Sequence, residues 1–356
     1  MTDDNATNPM AESAPAAHRR RPRYAGKYPR RFEDKYKEHN PVRYADTVQK
    51  VLASGKTPAG SHRPIMLVEV LEILAPRPGE IGVDGTLGYG GHAQELLARV
   101  QPGGRLLGLD ADPIELPRAE ARLRLLGFGP DTFTAHRTNF AGLAQVLGAA
   151  GLAAVDFIMA DLGASSMQFD NPARGFSVKH EGPLDMRMNP QRGQPAAALL
   201  EKISRDALAT LLAENADEPN ARRLADALAG RRFASTSALA AAIDAALPRL
   251  VRDARELCLR RVFQALRIAV NDEFSALETF LRHLPACLNP GGRVAVLTFH
   301  SGEDRRVKKA FATGWHEGLY AEIAQEVRRP TSDERHANPR SAPAKLRWAR
   351  KAAGSS

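Results

Sequence analysis

Three aspartates in this chain each close a short apolar run: Asp84 after Ile81–Val83, Asp110 at the end of LLGLD, and Asp161 after Val155–Ala160. Between the first two stands a glycine cluster, Gly85, Gly88, Gly90 and Gly91, followed by an alternating, helix-like segment. Carboxylates beside such a turn can accept hydrogen bonds from hydroxyls and can hold a cation. Glycines suit the turn because a residue without Cβ takes positive φ and lets a ligand approach the backbone. Asp110 lies 20 residues past Gly90, about where a carboxylate accepts hydrogen bonds from ribose hydroxyls in a dinucleotide fold. The chemistry indicated is the binding of a nucleoside cofactor.

The dinucleotide fingerprint G-x-G-x-x-G is not matched, because Gly88, Gly90 and Gly91 give G-x-G-G. Asp84 precedes the loop, so a pyrophosphate there would meet a carboxylate. An acidic strand end favours a ligand with an ammonium group and no phosphate, and S-adenosylmethionine has both properties. The competing explanation is a tight turn packed for its own sake.

These residues need elements to position them. Residues 81–110 read as strand, turn, helix and strand, with the helix over Ala93–Val100 offering free amide groups at its start. Before it, HRPIMLVEVLEILAP from His62 has helical spacing and stops at Pro76 and Pro78. A charged helix runs from Arg118 to Leu126. Thr132–Ala135 is a strand leading to a loop, His136–Phe140, where Phe140 would face an adenine ring or fill the core. Strands separated by helices predict a parallel sheet with its site along the C-terminal strand edge. The segment Asp161–Pro190, rich in polar groups and poor in long apolar runs, reads as a functional loop. Ala196–Leu266 has helical periods with arginines on or between the helices. Val294–Phe299 is a fifth strand, tipped by His300, Ser301, Glu303 and Asp304. That tip could pass for a metal or hydrolytic cluster, but no third ligand or nucleophile partner is spaced to join it, so no metal is expected.

Composition bounds the partners. The 356 residues carry a formal charge of +9 and are 43% hydrophobic, which allows a proper core and favours a polyanion, nucleic acid first. Residues 1–60 mix basic runs with Tyr24, Tyr28, Phe32 and Tyr36 and have no helix or strand period, which predicts a disordered basic tail able to hold phosphates and bases. Cys258 and Cys287 have no metal or redox spacing. No apolar run approaches the ~20 residues of a membrane span, and the N-terminus has no signal-peptide core, so a cytoplasmic protein is expected.

VDGTLGYGGH, LGLDADP, DLGASSMQFD, RGFSVKHEGPLDMRM, FQALRIAVNDE, LNPGGRVAVLTFHSGEDRRVKKAF and NPRSAPAKLRWARK resemble, in order and spacing, the bacterial methyltransferases that modify the N4 of a cytidine in the decoding region of 16S ribosomal RNA. The resemblance covers His62 to the C-terminus. It implies an α/β fold, a class I (Rossmann-like) S-adenosylmethionine-dependent methyltransferase sheet with an inserted α-helical substrate domain. The methyltransferase domain would span residues 61–175 and 265–356, and the RNA-binding insertion residues 176–264. Carried over by motif, the cofactor contacts are Gly90, Gly91, His92, Asp110, Phe140, Asp161 and Gln168; His92 and Gln168 come from the resemblance alone. Asp161 is the hypothetical acceptor of hydrogen bonds from the target amine. The implied partner is 16S rRNA within the small ribosomal subunit, with no membrane, and a homodimer is left open. The chain departs from the family pattern at Ala164, Met167, Phe169, Gly302 and Glu256–Leu259. Two other functions compete: a catalytically quiet RNA-binding assembly factor and a nicotinamide-dependent dehydrogenase, the latter disfavoured by the G-x-G-G loop and the basic charge.

Overall fold

The structure, a computed structural model, describes residues 64–354. The basic tail expected over residues 1–60 and the start of the helix at His62 lie outside the described residues. Helix α1 (Leu67–Leu74) leads into β1 (Ile81–Asp84), then α2 (Gly91–Val100), β2 (Arg105–Asp110), α3 (Glu115–Leu125), β3 (Phe133–Arg137), α4 (Leu143–Ala149), β4 (Val155–Asp161) and the short α5 (Ser166–Asp170). Helices α6 (Ala196–Lys202), α7 (Arg205–Ala216), α8 (Ala221–Leu228), α9 (Thr236–Ala246) and α10 (Arg252–Asn271) follow. The chain then returns through α11 (Glu273–His283), β5 (Leu288–Thr298), α12 (Ser301–His316), β6 (Tyr320–Ile323), α13 (Ser332–Ala337) and β7 (Lys345–Lys351).

Seven strands form one sheet in the order β3-β2-β1-β4-β5-β7-β6. The first five in that order pair parallel, whereas β7 pairs antiparallel with both β5 and β6. Strand order reverses between β1 and β4, so the connections leaving these two strands part to opposite sides. A crevice opens there, outside the carboxyl ends of the strands. Asp84 and Asp161 close the two strands that flank it, and Asp110 closes the next.

The sheet is buried on both faces, as its near-continuous apolar strands require. Val83, Leu107, Ile158 and Val296 pack with α4, α11 and α12 on one face, and Leu106, Phe157, Met159 and Leu297 pack with α1, α2 and α3 on the other. A separate core joins α6–α10, with Leu200, Leu212, Leu224, Leu239, Val262 and Leu266 almost wholly buried. Gly82, in β1, is held to glycine by its neighbour: a Cβ there would stand 2.1 Å from two ring carbons of Phe157. Gly82→Ala is expected to destabilise the fold by about 1–3 kcal/mol, the usual range for overpacking, read as a lower urea midpoint with an unchanged slope.

Three local expectations shift. His136 and Arg137 belong to β3 rather than to a loop, because the β2 ladder continues to pair Leu109 with His136 and Asp110 with Arg137. Helix α3 begins at Glu115, three residues before Arg118, because Asp112 Oδ1 accepts hydrogen bonds from the amides of Ile114 and Glu115. Strand β5 begins at Leu288, so the Asn289–Gly292 turn sits inside it as an irregularity opposite Val155–Phe157.

Candidate active site

The rim where β1 and β4 end forms the floor of the site. Asp84, 2% exposed, accepts a hydrogen bond from the Thr86 amide at 3.1 Å. The Thr86 hydroxyl accepts one from the Asp161 amide, so a single threonine ties the two strand ends together. Asp110 uses both carboxylate oxygens on the backbone, one accepting from Gly88 and the other from Asp112, each at 2.8 Å. The carboxylate therefore shapes the glycine loop. Asp161 Oδ1 is buried without a hydrogen-bond partner among the described residues, and its Oδ2 lies 3.8 Å from His92 Nδ1.

Burial sets the protonation of this cluster. It lifts the Asp84 carboxyl to about 7 against the opposing Thr86 amide. It lifts Asp110 to about 6. Asp161 rises to about 8, through burial first and then the neighbouring Asp84 and Glu303 carboxylates. His92 is pushed down to about 4, again by burial. Its Nε2 lies 3.1 Å from the Ile65 carbonyl, and a carbonyl only accepts. Nε2 thus carries the proton, and Nδ1 turns a lone pair toward Asp161.

These shifts make a stability prediction. Above pH 6.5, where unfolded aspartates and histidines have lost their protons, folded Asp84 and Asp161 still hold theirs. The folded state then binds more protons, so stability falls as pH rises from 6.5 to 8, by up to about 1.4 kcal/mol per pH unit for each group. Urea midpoints across that range check this. A ligand that brings a cationic group to the site should flatten the slope, because it favours the ionised carboxylates.

Above the floor is a cleft of about 1380 Å³, lined on one side by the glycine loop, Asp110, Phe140 and Asp161, and on the other by Lys179, Met188, Arg260 and Asn271. Gly85, Gly88 and Gly91 line it. Gly90 turns the other way: it starts α2 at φ 77°, and a Cβ there would stand 2.9 Å from Arg122 Nη2. Phe140 does two things at once. It lines the cleft and meets Phe280 edge-on, with ring centroids 5.5 Å apart, so it belongs to the cleft wall and to the core.

Gln168 is buried with its amide already engaged. Its Oε1 accepts from the Ser165 amide while Ser165 Oγ accepts from the Gln168 amide, a reciprocal cap on α5. Its Nε2 donates to Asp112 Oδ2 at 2.8 Å. Asp112, 1% exposed, also takes Arg174 Nη1 at 2.8 Å. Neither Asp112 nor Arg174 stood out in the sequence, yet they pin Asp161–Pro190 against the end of β2. Asn271 holds the far end of that segment, accepting from the Met188 amide and donating to the Met186 carbonyl.

The His300–Asp304 group is divided by the helix it begins. His300 Nε2 lies 3.1 Å from Glu303 Oε1, whereas Asp304 points to Lys345 and Arg347. Gly302 accommodates Phe274, whose ring would be 2.6 Å from a Cβ there. Within the stretch Glu256–Leu259, Cys258 is buried and Leu257 is left 46% exposed on α10.

The sequence signature of the MraW methylase family matches residues 59–352, nearly all of the folded chain. The chain belongs to that family. This MraW methylase is 45% identical over 355 residues to ribosomal RNA small subunit methyltransferase H 1 of Lachnoclostridium phytofermentans, covering 97% of this chain and 96% of that protein. It is 49% identical over 342 residues to ribosomal RNA small subunit methyltransferase H 2 of Alkaliphilus metalliredigens, covering 94% and 97%. Among solved structures, TrmN from Thermus thermophilus aligns at a TM-score of 0.39 with 14% identity, over 86% of this chain and 53% of that one. The strand order β3-β2-β1-β4-β5-β7-β6 with β7 antiparallel is the α/β methyltransferase sheet expected from the sequence. Among the described residues, no helix of this methylase is long and apolar enough to cross a membrane.

Proposed function

We propose that this chain transfers a methyl group from S-adenosylmethionine to the exocyclic N4 of a cytidine in the decoding region of 16S rRNA. The observation that carries the reading is the cleft, which has strand-end carboxyls as its floor and a helical unit as its far wall. Its volume of about 1380 Å³ exceeds the roughly 300–1,000 Å³ of ordinary ligand pockets. It has room for a cofactor and an unstacked nucleotide together. The relatives named for small-subunit rRNA methylation support the substrate class, and the motif resemblance alone points to the N4 position.

The donor set fits the cofactor. Asp84 is buried and Asp161 half-buried, and among the described residues neither carboxyl is bonded to a lysine or arginine and Asp161 Oδ1 has no hydrogen-bond partner. Such groups suit a ligand that brings positive charge and no phosphate. When bound, S-adenosylmethionine supplies an electrophilic methyl group on its sulfonium. Asp110 offers remaining lone pairs to ribose hydroxyls, Gly85, Gly88 and Gly91 let the ligand approach the backbone, and Phe140 gives an apolar face for a base. His92 and Gln168 act here by positioning Asp161 and the segment after it.

A cytosine amine is a poor nucleophile because its lone pair is delocalised into the ring. Asp161 would accept hydrogen bonds from the amine N–H groups, so that the lone pair localises as the new bond forms. Orientation by the cleft supplies much of the rest, on the order of 7–11 kcal/mol for well-placed reactants. The helical unit, over residues 176–264, is the RNA-facing domain in this reading. Lys179, Arg192 and Arg260 line the cleft mouth and are exposed, where they can pair with phosphates.

The test is to incubate the protein with tritiated S-adenosylmethionine and small subunits from a strain lacking the gene, then digest the RNA for nucleoside mass spectrometry. N4-methylated cytidine is the expected product. Cofactor binding without a labelled nucleoside would overturn the substrate assignment while leaving the fold intact.

A further inference from the structure

On the far side of the cleft floor, one guanidinium has an edge that the protein leaves uncovered. Arg267, in the FQALRI motif on α10, is 8% exposed. Its Nε and Nη2 donate to the two carboxylate oxygens of Glu273, both at 2.8 Å, and Nη2 lies 4.0 Å from Glu303 Oε1. Nη1 has no hydrogen-bond acceptor among the described residues. It faces Gly163, two residues beyond Asp161, where a Cβ would lie 3.9 Å from Nη1. Arg267, Gly163 and Asp161 all line the cleft.

The surroundings decide what this edge can bind. Glu273 already pairs with the guanidinium, and Glu303 adds a second carboxylate. An anion, whether phosphate or the carboxylate of an amino acid, would meet two negative groups and little net positive charge. A neutral acceptor meets no such repulsion and still finds a rigid N–H donor. On the edge of a cytosine, the atom next to the N4 amine is N3, an acceptor; in uracil it is a donor. If Asp161 accepts from the N4 amine, a donor set beside it completes the pattern for cytosine and opposes uracil.

We propose that Arg267 Nη1 donates a hydrogen bond to N3 of the target cytosine, with Glu273 fixing the guanidinium plane and Gly163 keeping its edge open. The inference rests on the cytosine-N4 reading above. It makes Arg267 a base-selecting residue, distinct from the phosphate-binding basic residues at the cleft mouth.

The experiment uses small subunits reconstituted with cytidine or 3-deazacytidine, which has C–H in place of N3, at the target nucleotide. Wild-type protein should lose about 10–100-fold in kcat/KM on the 3-deaza substrate, the range for a discriminating base contact. Arg267→Lys should show a similar loss on cytidine, only a few-fold further loss on 3-deazacytidine, and unchanged cofactor affinity by calorimetry. Any intrinsic change in amine reactivity affects both proteins equally and cancels in the comparison. Equal wild-type rates on the two substrates, losses that multiply, or a variant that loses cofactor affinity but keeps its discrimination would each overturn the proposal. If Arg267→Lys does not fold, Arg267→Met combined with Glu273→Gln removes both buried charges together and serves the same cycle. Wild-type inactivity on cytidine particles would instead sink the parent reading.

Discussion

Asp161→Ala is expected to lower kcat for methyl transfer by about 10²–10⁴-fold, the range for a positioned group that acts on a proton of the reacting centre. Asp161 stands at the end of β4 with one oxygen unpartnered, and the other faces a lone pair of His92. Burial and then the Asp84 and Glu303 carboxylates hold this carboxyl near 8, so it is largely protonated at neutral pH. A bound cation favours its ionised form, which can accept two N–H hydrogen bonds from an amine. Calorimetry with S-adenosylmethionine separates the roles: Asp161→Ala should still bind cofactor, with weaker pH dependence between 6.5 and 8. Wild-type rates at saturating cofactor in this variant would remove Asp161 from the chemistry. Asp161→Asn should fall between the two, because an amide keeps one acceptor oxygen but cannot ionise.

The parallel half of the sheet was legible because local signals agreed. Apolar runs ended in aspartate, the glycine cluster stood at the first turn, and the helices between the strands kept their period. Asp84, Asp110 and Asp161 therefore came together on one rim as expected. The edges of elements were harder to place. His136 and Arg137 look like loop residues, but the ladder to β2 extends β3 through them. The antiparallel end, β6 and β7, had no run that the sequence set apart, since LRWAR alternates without a turn signal to mark its partner. Pairings across distance were invisible for a more basic reason. Arg174 and Asp112 are 62 positions apart, and nothing in a sequence says which carboxylate a buried arginine will meet. The same holds for Arg267: its motif was visible, whereas its uncovered edge depends on Glu273 occupying the rest of the guanidinium. One missed signal was readable. Ser165-x-x-Gln168 is a capping-box spacing, and it would have assigned the Gln168 side chain to the cap on α5.

The second large effect is on stability. Asp112→Ala should cost about 3–5 kcal/mol, the range for breaking a buried ion pair by removing one partner. Asp112 Oδ2 receives both Arg174 Nη1 and Gln168 Nε2, and its Oδ1 receives the Ile114 amide that starts α3. Without it, Arg174 stays 7% exposed, with the carbonyls of Arg187 and Met188 as its only acceptors among the described residues. Carbonyl dipoles satisfy hydrogens but do not neutralise the charge, so most of the desolvation penalty stands uncompensated. Removing both partners should therefore cost less than the sum of the single changes. Equilibrium urea unfolding of Asp112→Ala, Arg174→Ala and the double variant measures that coupling. Additive losses would mean the pair is not a unit. The activity of folded Asp112→Ala should also drop, because Gln168 and Arg174 tie the Asp161–Pro190 segment to Asp112 beyond the end of β2. Once the link to Asp112 is cut, the loop that follows the reacting carboxyl loses its tie to the end of β2 and keeps those of Asp170 to Arg340 and of Met186 and Met188 to Asn271.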